Sequence, residues 1–188
     1  MIIVGIDPSL TGTGVAVVDT DDRLAIETHT IVTKPDGTSL DARLARLRHI
    51  MREVDRHVLQ VDDEASPVAH LVVIEAPSLG QGRQGGTLDR HGLWWLLIDR
   101  LHNLGRPVAI VAPAARAKYA TGKGTASKEA VLLAVERRWP QADVANNNEA
   151  DAVVLACMGA DAYDAPIGDI PRANADALSK VDWPELTS

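Results

Sequence analysis

Two short, almost unbroken apolar runs mark the first half of the chain, and each stops on a single acid. Ile2-Ile3-Val4 leads to Asp7 before Pro8-Ser9, and Val68 to Ile74 leads to Glu75 before Ala76-Pro77-Ser78. Runs of this length, closed by turn residues, are predicted to be buried strands. Thr11-Gly12-Thr13-Gly14 joins the first run to a β-branched one, Val15 to Val18, and Leu24 to Val32 alternates as a third strand. A three-stranded antiparallel meander is the expectation. Pro107 to Ala112 is apolar throughout and adds a fifth strand, internal to the sheet. Helical spacing appears at Leu40, Leu44, Leu47, Met51, Val54 and Val58, and helices are also predicted over Leu88 to Leu104, Lys128 to Trp139 and Glu149 to about Tyr163. The fold class is α/β.

The polar positions between these elements divide into bland and suggestive ones. Arg43, Arg46, Arg48 and Arg52 read as the solvated face of the first helix. Gly80 to Gly86, carrying Arg83 and Gln84, reads as a surface loop without the spacing of a nucleotide cradle. Adjacent Trp94 and Trp95 point about 100° apart on a helix, so burying both requires a wide apolar face or a second surface such as a dimer contact. Ala115 to Lys128 contains Arg116, Lys118, Lys123 and Lys128 and no acid. A glycine-flanked lysine loop that runs into a helix N-terminus suits phosphate, because it offers cations and backbone N–H groups together.

Composition narrows the class. The chain has 188 residues, which suits one domain, taken as residues 1–163, with a Pro- and Asp-rich tail, 164–188, loose or docked at the periphery. A net charge of −7 argues mildly against nonspecific polyanion binding, so the local basic excess stands out. A single cysteine, Cys157, excludes an internal disulfide framework and fits a reducing compartment. No run approaches the roughly 20 apolar residues of a membrane span, so a cytoplasmic protein is expected.

The two strand-end acids carry the chemistry. Parallel internal strands that each end on an acid set those acids side by side at the carboxyl edge of a sheet, where α/β proteins place their sites. Asp7 and Glu75 then repel each other unless a cation lies between them, and Mg²⁺ or Mn²⁺ suits such hard oxygens. Asp151, in the first turn of the last helix, would make room for a second ion. Two such ions suit an in-line phosphodiester displacement. Taken alone, Asp7 could also cap a turn and Asp151 could simply answer the helix dipole.

GIDPSLTGTG at the start, VVIEAP around Glu75, TGKGTASKEAV, and NEADAVVLA at the last helix together resemble the RuvC-type Holliday-junction resolvases of bacteria and phages. The resemblance runs from Ile3 to about Ala160. It implies an RNase H-like fold, a five-stranded mixed sheet flanked by helices, in a homodimer that nicks two strands of a four-way DNA junction with two Mg²⁺ or Mn²⁺ ions per active site. Asp7, Glu75 and Asp151 match the metal-binding acids, and Lys118 and Lys128 resemble the lysines near the scissile phosphate. Arg83, Arg116 and Lys123 join them as candidate DNA contacts.

This chain departs from that pattern in three places. The fourth ligand position falls on Asn148, with Glu149 beside it, and either could supply the oxygen. An aromatic after the strand-end acid is replaced by Ala76, which touches junction opening and sequence preference. The two lysines are one residue closer together than in the bacterial enzymes. Alternative readings are a nuclease for flaps and forks, a non-catalytic branched-DNA binder, and half of an actin-like or sugar-kinase-like ATPase, for which the chain is too short.

Overall fold

The computed structural model describes residues 1–22, 25–59, 69–78 and 86–186. Strands β1 (Ile2–Asp7), β2 (Gly12–Asp19) and β3 (Ile26–Val32) form the expected meander. Helix α1 (Leu40–Leu59) then leads to β4 (Leu71–Glu75), α2 (Thr87–Asn103) and β5 (Val108–Val111). The sheet order is β3-β2-β1-β4-β5, antiparallel on the β3 side and parallel from β1 to β5. It is the five-stranded mixed sheet flanked by helices that the resemblance implies, except that β5, expected inside the sheet from its apolar run, lies at its edge and pairs with β4 alone. Ile6 pairs with Ile74, so Asp7 and Glu75 leave adjacent strands at the same level.

Period-two alternation divides the sheet between two cores. Val4, Ile6, Val15, Val17, Val72 and Ile74 face α1 and α2. Ile3, Ala16, Val18, Leu71, Val73 and Val111 face the opposite layer. That layer holds α3 (Pro113–Thr121), α4 (Lys128–Arg138) and α5 (Asn147–Ala162). Helix α3 corrects the reading of Ala115 to Lys128 as one loop. Pro113 stands at the helix start, where its missing N–H costs nothing, and Gly122 closes the helix in the left-handed conformation. Only the stretch from Gly122 to Ser127 joins α3 to α4.

Residues 164–186, with a short helix α6 (Arg172–Ala175), lie on the same layer. Ile167, Ala177 and Val181 are buried there, and Asn174 donates a 2.9 Å hydrogen bond to the Tyr119 carbonyl. Two arginines assigned to a solvated face fasten α1 to its neighbours. Arg43 pairs with Asp89 on α2, and Arg46 bonds Thr33 Oγ1 at 2.9 Å and the Leu10 carbonyl. Among the described residues no helix is long and apolar enough to cross a membrane.

Helix α5 lies directly on β1 and β2. A Cβ on Gly5 would come 2.1 Å from the Ala152 carbonyl oxygen, and one on Gly14 would come 2.0 Å from that of Asn148. Backbone cannot yield to such contacts as a flexible side chain can. Gly5→Ala is therefore expected at or above the upper end of the roughly 1–3 kcal/mol range for overpacking. Thermal unfolding followed by circular dichroism should show a midpoint lower by about 6–12 °C.

Candidate active site

The cleft lies where β1 and β4 end. Asp7, Ser9, Glu75, Ser78, Arg90, His91, Lys128 and Asn148 line it, with a volume of about 250 Å³. Each wall is held from behind. Thr13 Oγ1 accepts from the Ser9 amide at 3.1 Å and donates to the Ser9 carbonyl at 2.7 Å, which locks the turn after Asp7. Trp94 is buried and its indole N–H donates to the Glu75 carbonyl at 2.9 Å, steadying the end of β4. Trp95 instead is 65% exposed, edge-on to Trp94 with 5.0 Å between ring centroids.

Asp7 and Glu75 are within hydrogen-bonding reach of each other. Burial raises the Asp7 pKa well above the carboxylate range, and the charges of Glu75 and then Asp151 raise it further. Asp151 reaches the same place from the second turn of α5. Burial pushes its carboxyl up to about 6 against the pull of Arg116 and Lys128, with Glu75 adding to the rise.

Between Glu75 and Asp151 stands a guanidinium. Arg116 is 6% exposed; its Nε lies 2.5 Å from Glu75 Oε1 and its Nη1 bonds Asp151 Oδ1. Its placement differs from the sequence expectation, in which Arg116 belonged with the phosphate-facing cations of a surface loop. Burial in the first part of α3 turns it towards the acids. With it there, no three His, Cys, Asp or Glu side chains among the described residues form a ready cage for an ion.

The alternatives at the start of α5 separate by direction. Glu149 turns away from the cleft, accepting from Thr30 Oγ1 at 2.6 Å, the Ala145 amide at 2.7 Å and Asn146 Nδ2 at 3.2 Å. With Asn146 capping the amides of Asn148 and Glu149, it makes a variant of the capping box. Asn148 lines the cleft beside Asp7 and Glu75. Asp7, Glu75 and Asn148 line the same cleft, and their side chains carry hard oxygens, a donor set that fits Mg²⁺ or Mn²⁺.

Of the expected basic residues, Lys128 lines the cleft at the start of α4, whereas Lys118 is half-buried on α3 and does not. Lys123 is exposed on the loop between them, and Arg83 lies outside the described residues. At the N-terminus of α4, Ser127 Oγ accepts from the Ala130 amide at 3.2 Å, so one of the amides expected to face phosphate is already capped. Arg90 and His91 in the cleft had not been anticipated. Their signal was two basic side chains at the start of a helix after a glycine-rich stretch.

No family model matches the chain. Curated proteins do match it, among them two crossover junction endodeoxyribonucleases named RuvC. That of Hyphomonas neptunium is 30% identical over 170 residues, covering 88% of this chain and 92% of its own. That of Agrobacterium fabrum is 30% identical over 157 residues, covering 82% and 85%. In fold, the chain is similar to Thermus thermophilus RuvC solved in complex with a Holliday junction substrate, with a TM-score of 0.64, 19% identity, and coverage of 91% of this chain and 99% of that one.

The geometry separates two neighbouring side chains by their expected effects. Glu149→Ala should cost about 1–3 kcal/mol, because it strands a buried amide and two polar side chains. Asn148→Ala should change stability by less than about 0.5 kcal/mol. Urea unfolding of the two variants measures the difference.

Proposed function

The chain belongs to the RuvC family of crossover junction endodeoxyribonucleases, and on that premise we propose that it cuts four-way DNA junctions by paired, metal-dependent nicks made by a homodimer. The observation that carries the reading is the meeting of Asp7 and Glu75, from β1 and β4, in one cleft with a basic side, with Asp151 of α5 buried behind it and joined to Glu75 through Arg116. Asp7, Glu75 and Asn148 are the residues that would hold one Mg²⁺ or Mn²⁺ ion, and Glu75 with Asp151 a second. Bound there, two such ions supply an activated water and a steadied 3′ leaving oxygen.

The chain's own cations do the positioning. Lys128 beside Asp7 meets the scissile phosphate from the α4 side, and Arg90 and His91 face it from α2. Lys123 extends the basic surface to a flanking phosphate, so part of the affinity is electrostatic and weakens with salt. Junction preference comes from elsewhere, since Ala76 has no ring to stack on a base.

The apolar face of α2 suits the dimer contact. Leu88 and Trp95, seven residues apart and 74% and 65% exposed, lie on one side of the helix. Trp95→Glu is expected to shift the mass in solution from twice 20.1 kDa to the single-chain value. Light scattering after gel filtration reads it. A variant that stays dimeric would move the interface off this face.

The activity test incubates labelled four-way junctions, flaps and forks with the protein and Mg²⁺ or Mn²⁺. Paired symmetric nicks with 5′-phosphate ends, made on the junction in preference to the flap, are the expected result. Asp7→Asn should lower cutting by at least about a thousandfold while leaving junction affinity within a few fold, since it removes a group needed only for chemistry. Equal cutting of flaps and forks would assign a broader branched-DNA nuclease. Binding without any cutting would leave a junction-binding protein.

A further inference from the structure

Among the described residues Arg116 is the one cation buried among the acids at the cleft, and its two bonds occupy oxygens of Glu75 and Asp151 on which a second ion would depend. Its guanidinium touches Glu75 Oε1 and Asp151 Oδ1 and is 6% exposed, whereas Lys128 is exposed on the cleft rim. A divalent ion between Glu75 and Asp151 and a guanidinium between the same two groups exclude each other by volume and by charge. On the other side, Asp7, Glu75 and Asn148 line the cleft, and among the described residues no ion pair joins Asp7 to a cation, Arg116 being paired with Glu75 and Asp151. Charge leads to the same division. With all three ionised, as a bound cation would require, the carboxylates of Asp7, Glu75 and Asp151, less the guanidinium paired with two of them, leave two negative charges, which a single divalent ion balances.

We infer that Arg116 is a built-in counter-cation that holds the place of the second ion in the DNA-free protein, so that this chain alone takes one divalent ion tightly and completes its pair only when DNA enters the cleft. A phosphodiester is the partner that can release it. Guanidinium bonds phosphate oxygens in the same forked geometry as carboxylate, so the move trades one charge-assisted contact for another. The acids freed on the Asp151 side then become available to an ion at the moment substrate arrives. A protein built this way carries a complete cutting centre only on DNA. The inference rests on the metal-site reading proposed above and deepens it.

The test counts Mn²⁺ bound to the full-length chain without DNA, from the electron paramagnetic resonance signal of the free ion. The wild-type chain is expected to bind one ion tightly and a second at least about tenfold more weakly. Arg116→Gln is expected to bring the second ion to within about threefold of the first, and Arg116→Lys, a point charge that cannot fork across both acids, to fall between. Without metal, Arg116→Gln should melt about 5–10 °C below wild type, because three carboxylates are left facing one another, and Mn²⁺ should restore more of its midpoint than it adds to wild type. With a four-way junction present, and the ions held by the junction alone subtracted, the wild-type count should rise to two.

Two equally tight ions on the DNA-free wild-type chain would overturn the inference while leaving the metal site intact, and that measurement needs no variant to fold. An unchanged count in a folded Arg116→Gln would overturn it as well. No tight ion on any of these proteins would overturn the metal-site reading itself, and this inference with it.

Discussion

The close seating of α5 on β1 and β2 is the constraint on which the site depends. Gly5 and Gly14 let helix backbone meet strand backbone at distances that no side chain would permit. Because α5 lies this near, Asp151 in its second turn reaches a guanidinium that also touches the end of β4, and Asn148 lines the same cleft as Asp7. Gly159 continues the seam further along, where a Cβ would press on Val73 and Ile3. Helices can be slid or lifted by an ångström when bulky side chains separate them from a sheet; contact through glycine removes that freedom. The site gains precision from the same feature that makes its packing intolerant of added volume.

Gathering acids in a buried place has an electrostatic cost, which the fold offsets unevenly. Burial and mutual repulsion raise Asp7 and Asp151, and the Arg116 guanidinium is directed at Glu75 and Asp151 rather than at Asp7. The imbalance has a direction: the residual negative charge faces the open cleft, where a hard cation or the cations around a phosphate can approach, and the balanced part faces the interior. Lys128, Arg90 and His91 lie around that opening without neutralising the acids by direct contact. Such an arrangement attracts a divalent ion to the entrance first. It also explains why an acidic chain can act on a polyanion, since the relevant field is local and not the net charge.

Much of this was legible in the sequence, for reasons that can be stated residue by residue. Asp7 and Glu75 each end an apolar run at a turn, and a parallel pairing of those runs leaves their carboxyls together; periodicity and turn chemistry suffice for that inference. Helix α3 was not legible as such because Gly122, Lys123 and Gly124 dominated the reading of the whole segment, although Pro113 and the alanines beside it are helix signals. Arg116 was taken for a surface cation because local charge says nothing of the partner a side chain finds in three dimensions. Arg43 and Arg46 were misjudged for the same reason. Asn148 and Glu149 could not be told apart because neighbouring helix positions diverge by about 100°, and only the position of β3 decides which of them leaves the cleft.

The far end of α3 shows how the tail enters the same logic. Arg138 Nη1 donates to the Ala120 carbonyl at 2.9 Å, and Asn174 Nδ2 donates to that of Tyr119 at 2.9 Å, so the last carbonyls of α3 are satisfied by α4 and by the C-terminal segment. Tyr119 is buried and bonds the Cys157 carbonyl on α5 at 3.2 Å. Helix α3 is thereby fixed at its end to the element that carries Asp151, while its start carries Arg116. A helix clamped at one end to α5 cannot turn Arg116 out of the acids by moving as a body. Release must come from rotation of that one side chain about its own bonds, a motion that asks little of the backbone and leaves the acids where the glycines hold them.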